Sequence, residues 1–94
     1  MKVQVECRRG EAAWSCSVTV GDDPAATSHE VTVAAVDLDR LAPGASEPTR
    51  LVRESFEFLL ERERRESILR SFDLPLIGRY FPEYPDEIIG RLAQ

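Results

Sequence analysis

The sequence predicts an α+β fold, an antiparallel sheet followed by helices, and three observations carry that expectation. Residues 2–36 alternate apolar and polar side chains with a period of two. From residue 50 onward the apolar spacing changes to that of a helix. Between them lies the turn-forming segment GASEPT, residues 44–49. One such change within 94 residues describes a single domain over 1–94 with a β half and an α half.

The first strand is expected at about 2–9, KVQVECRR, with Val3, Val5 and Cys7 on one face. The second is expected at about 12–20, AAWSCSVTV, with Trp14, Cys16, Val18 and Val20 on the same face. A two-residue turn at Gly10-Glu11, with Gly suiting type II′, pairs the strands so that Cys7 faces Trp14 and Val5 faces Cys16. In that register the cysteines share a face without being opposed. They read as two small buried apolar residues, with a disulfide as the lesser alternative. GDDPAATS, residues 21–28, is a run of turn formers. Its Asp22 and Asp23 read as solvated loop acids, because the spaced acids, glycine and distal glutamate of a calcium loop are missing. The third strand is expected at about 29–36, HEVTVAAV, with His29, Val31, Val33 and Ala35 on one face.

In VDLDRLAPG, Asp37 suits an N-cap and Pro43-Gly44 a stop, so a single helical turn is expected. The main helix is expected at about 50–64. Its apolar residues Leu51, Val52, Phe56, Phe58, Leu59 and Leu60 span an arc of about 200°, wider than a surface helix needs. The sheet can cover one side; the C-terminal segments or a second subunit must cover the other. The run ERERRE, residues 61–66, reads as a solvated helix end with intrahelical ion pairs. Two or three short helices should follow on the same face of the sheet. In the first, after Pro75, Leu76, Ile77, Tyr80, Phe81 and Tyr84 form one stripe of about 140°, with the tyrosine hydroxyls at its wet edge. Pro85, Asp86 and Glu87 suit the first turn of the last helix.

The formal charge is −5, and neither half carries the clustered positive charge that phosphate binding needs. No apolar run approaches a membrane span or a signal-peptide core. A cytoplasmic protein with reduced thiols is therefore expected, with no membrane partner. No phosphate-binding loop, GxSxG, HExxH or CxxC occurs. His29, the only histidine, has no partner near it in sequence, and the carboxylates Glu54, Glu57 and Glu61 lie on the wet face of the main helix. No catalytic residue, metal ligand or cofactor site is expected, and the chain does not read as an enzyme.

The segments FEFLLERE, ESIL, FDL and YFPEY, between Phe56 and Tyr84, follow a β-rich start that ends in LAPG. In these features the chain resembles a set of small uncharacterised bacterial proteins of similar length. The resemblance implies an α+β domain and no known activity, so no functional residue carries over. Where that pattern has proline after Glu63, this chain has Arg64, which leaves open a helix that runs on toward Ser71.

The wide helical arc and the aromatic C-terminus point to a small non-enzymatic protein-interaction module, a homodimeric adaptor or regulator. Its expected interaction surface is Phe56, Leu60, Ile77, Tyr80, Phe81 and Tyr84, facing a protein partner or a second copy. The alternative is an antitoxin-like or nucleic-acid-associated regulator with Arg62, Arg64, Arg65 and Arg70 toward phosphate. The alternating acids count against it, so nucleic acid is not the favoured partner.

Overall fold

A computed structural model describes all residues from Met1 to Gln94. The chain is α+β, with a four-stranded sheet in the order β1-β2-β3-β4 and helices against one of its faces. The strands are β1 (Val3–Arg9), β2 (Ala13–Val20), β3 (Thr27–Ala34) and β4 (Ser71–Asp73). The helices are α1 (Ala35–Leu41), α2 (Thr49–Leu60), α3 (Leu76–Tyr80) and α4 (Tyr84–Leu92).

The period-two reading assigns the faces of the first three strands correctly. Cys16, Val18, Val20, His29, Val31 and Val33 are buried, and Gln4, Glu6, Ser15, Ser28, Glu30 and Thr32 are exposed on the other face. Three details differ. The sheet is mixed rather than three-stranded and antiparallel, because β4 adds parallel to β3 with Val31 opposite Phe72. Only Phe72 of those three residues is apolar, too short a run to show a period. The third strand also begins and ends earlier than 29–36. Ala35 and Val36 already belong to α1, which continues β3 without a linker. Asp37 is therefore inside the first turn, paired with Arg40, rather than a cap.

The hairpin register differs as well. Cys7 lies opposite Cys16, with Val5 opposite Val18 and Arg9 opposite Trp14. Alternation fixes only which parity of residues can meet, so a register shifted by two keeps every side chain on its face. Gly10 N–H donates to the Ala13 carbonyl across a turn whose central residues are Glu11 and Ala12. The glycine serves close approach, not a left-handed backbone: a Cβ there would lie 2.8 Å from the Ala13 oxygen. Gly21 N–H donates to the Lys2 carbonyl, so the even residues of β1 form the hydrogen-bonded pairs and Cys7 and Cys16 form a non-hydrogen-bonded one. Side chains approach most closely at such pairs. Their Cα atoms are 4.0 Å apart and the two cysteines are joined as a disulfide, not present as separate thiols.

Helix α2 is buried on two sides, as its wide arc requires. It lies against β1 on one side and α4 on the other. Phe56 faces the sheet, with ring centroids 5.3 Å from His29 and 6.2 Å from Phe72. Phe58 faces α4, with edge-on contacts to Tyr84 at 5.3 Å and Phe81 at 5.9 Å. The second covering layer is thus this chain's own C-terminus. The helix starts at Thr49, whose backbone N–H and hydroxyl both donate to the Glu47 carboxylate. It stops at Leu60 rather than near Arg64, and the chain passes through a 3₁₀ turn at Arg65–Ser67 before β4. It breaks there without a proline.

Candidate functional site

The aromatic stripe is divided where the chain leaves α3 at Phe81 and crosses Pro82. Ile77 and Tyr84 go into the core, Phe81 is half-buried, and Tyr80 remains 66% exposed. Of the residues expected to form an interaction surface, Phe56, Ile77 and Tyr84 are thus inside the domain. Leu60, Phe81 and Tyr80 are the ones that reach its surface. The Tyr84 hydroxyl is not at a wet edge. It shares a 2.7 Å hydrogen bond with Ser55 Oγ, which donates at 2.7 Å to the Leu51 carbonyl, so α4 is pinned to the interior of α2. Burial pushes the Tyr84 hydroxyl up to about 12, against the smaller opposing effect of the Ser55 bond.

His29 is likewise enclosed. Its Nδ1 is 2.7 Å from the Leu69 carbonyl oxygen and its Nε2 is 2.9 Å from Thr27 Oγ1. A carbonyl only accepts, so Nδ1 carries the proton and donates; the neutral ring then accepts the Thr27 hydroxyl at Nε2. Burial holds its pKa below the ordinary value of 6.5, and the Leu69 bond opposes that while the charge of Arg70 adds to it. Both ring nitrogens are engaged: Nδ1 ties β3 to the segment that leads into β4, and Nε2 holds the ring to Thr27 within β3 itself.

The charged run after α2 ties distant elements together rather than pairing only within a helix. Arg62 lies over the Phe58 ring, 3.6 Å from its centroid, and pairs with Glu83 and Glu87 as well as its neighbour Glu61. Arg91 pairs with Glu61 and Glu87. The Arg91 hydrogen bond holds the Glu61 carboxyl below the usual carboxylate range. Arg65 reaches back to the β2–β3 loop. It pairs with Asp23 at 3.2 Å and donates to the Val20 carbonyl at 3.4 Å. Of the four arginines considered for phosphate, Arg62 and Arg65 are therefore committed to carboxylates. Asp23 also accepts the Ala25 N–H within its own loop.

An apolar groove opens beside β4. Its volume is about 280 Å³, and eight of its ten lining residues are hydrophobic. Leu59 comes from α2, Ile68 and Leu69 from the approach to β4, Phe72 from β4, and Ile77 and Tyr80 from α3. Its rim is unusually greasy for a surface: Leu69 is 47% and Tyr80 66% exposed. Glu63 stands at this rim without a hydrogen-bond or ion-pair partner. Burial raises its pKa, and no neighbouring cation offsets that cost. The groove unites Ile77, Tyr80 and Phe81 from the expected surface with Leu76, which the helical stripe included, and with Glu63, Leu69 and Phe72, which lay outside both. Leu69 left a faint signal, an apolar side chain between Ile68 and Arg70 at a position the core does not use; Glu63 left none.

No group of three or more histidine, cysteine, aspartate or glutamate side chains could hold a metal ion, and no helix is long and apolar enough to cross a membrane. No protein-family model, curated protein or solved structure matches this chain.

Proposed function

We propose that this chain is a small non-enzymatic protein-binding module, and that the groove beside β4 receives its partner. The partner's docking segment carries one bulky apolar anchor beside a lysine or arginine. The anchor fills the space between Leu59, Phe72 and Ile77 and is held at the rim by Leu69 and Tyr80. The basic side chain pairs with Glu63. The observation that carries this reading is an unpaired, partly desolvated carboxylate on the edge of an apolar groove. Desolvation of such a group is a standing cost, and a cation of the ligand removes it. The engagement of both His29 nitrogens supports a module without catalytic chemistry of its own. Selection from a random peptide display library tests the proposal. The wild-type chain should enrich apolar-plus-basic segments, Tyr80→Ala should lose them, and Glu63→Lys should shift the preference from basic to acidic neighbours. Enrichment of peptides indifferent to Tyr80 and Glu63 would remove the groove from consideration.

A further inference from the structure

The opposite border of the sheet carries a second surface, independent of the groove. β1 is an edge strand of seven residues. Its even residues bond to β2, so the N–H and C=O groups of Val3, Val5, Cys7 and Arg9 point away from the sheet. None of them has a hydrogen-bond partner within the chain on that side. A long unpaired edge is a template for another strand. On the open face of the sheet, Glu6 and Arg8 are exposed, and neither takes part in any ion pair of the chain.

We propose that this edge pairs antiparallel with β1 of a second copy, in the register that sets Glu6 opposite Arg8 of the partner copy. Only outward-pointing residues can exchange hydrogen bonds, so odd residues must meet odd ones. Three such registers overlap five or more residues of β1. Centring the two-fold axis on Glu6 puts that carboxylate against its own copy. Centring it on Val5 puts Lys2 against Arg8 twice. Centring it on Cys7 puts Glu6 against Arg8 twice, Val5 beside Arg9, and Gln4 against Gly10. Opposite charges directly across a pair stabilise it and like charges destabilise it, so the third register is selected. Cys7 is already bonded to Cys16, which leaves this contact non-covalent. The result is a continuous eight-stranded sheet, with the two grooves at its outer ends.

Charge exchange tests both the surface and the register. Wild-type chain should dimerise in the micromolar range by sedimentation equilibrium. Glu6→Arg and Arg8→Glu should each weaken the dimer about tenfold or more, since each turns two attractive pairs into repulsive ones. The double variant, E6R with R8E, should recover it. Both side chains are exposed, and a circular dichroism spectrum equal to wild type confirms that each variant folds. Amide exchange should slow at Val5, Cys7 and Arg9 as concentration rises, and stay fast at Val3, which lies beyond the paired segment. A wild-type chain that stays monomeric, single swaps without effect, or a double variant no better than either single would each overturn the proposal.

Discussion

The two borders of the sheet are held by opposite means. β1 has seven residues, is cross-linked to β2 by Cys7–Cys16, and leaves its outer edge unpaired. β4 has three residues and no covalent tie. It is held by backbone bonds from Glu30 N–H to Arg70 and from Leu74 N–H to Thr32, by Phe72 against Phe56, and by His29 just upstream. The first border is strong locally, because its partner is the next strand in the chain. The second depends on side chains that come from elsewhere and meet at one place. A short strand surrounded by such contacts is easier to shift, and that is where the groove lies.

The comparison breaks most severely at Phe56, where β4 is backed by α2. Phe56→Ala should cost about 3–5 kcal/mol, the range for truncating a fully buried aromatic. Denaturant unfolding gives the loss, and amide protection should fall first at residues 71–73, not in β1. The matching disruption of the other border is removal of the disulfide. Its sequence separation of 9 closes a short loop, and the chain-entropy account gives about 2–3 kcal/mol for Cys7→Ala with Cys16→Ala. The groove should survive that change, so peptide binding measured on the double variant should stay at the wild-type level. A loss of both stability and binding would mean that the two borders are not independent.

His29→Leu should cost about 1–3 kcal/mol, because the Leu69 carbonyl and the Thr27 hydroxyl lose their partners in the interior. Acid should have a graded version of the same effect. The folded protein lowers the pKa of His29, so the unfolded chain binds a proton first as pH falls. The histidine's contribution is complete above its ordinary value of 6.5 and is lost as pH drops below it. Stability measured across that window should fall less steeply in His29→Leu than in the wild-type chain. The smallest effect is expected of Tyr84→Phe, about 0.5–1.5 kcal/mol, since it removes one hydrogen bond and leaves the ring packing intact. That bond lies between α2 and α4, away from both borders, so neither should change its exchange pattern.

The borders also differ in how far they could be read from the residues. Val3, Val5, Val18 and Val31 alternate over whole strands, and a period of two needs only that length to show a face. The sheet's core side was legible for that reason. The hairpin register was not, because a shift by two leaves Val5 and Cys16 on the same face and alters only who is opposite whom. Nothing local in Ser71–Asp73 announces β4; it is a strand because Val31 and His29 are there to receive it. The aromatic stripe looked coherent at helical spacing, but Phe81 and Pro82 break it, and the break is what leaves Tyr80 beside Leu69 on the rim of the groove. The groove is a meeting of four segments, and meetings of that kind have no signature in any one of them.

The strands lie side by side in the order in which they occur in the chain, and this bears on synthesis. As the chain leaves the ribosome, β1, β2 and β3 can zip together from neighbouring residues alone, the cheap local step in folding. Their shared apolar face then has no cover until α2 arrives. α2 in turn keeps Phe58 uncovered until Tyr84 has been made. The final closures join residues 40 to 44 positions apart, His29 with Leu69 and Arg50 with Gln94. A nascent chain interrupted after α2 would thus present a finished hairpin sheet with an unsealed interior, the species most exposed to aggregation and to holdase chaperones.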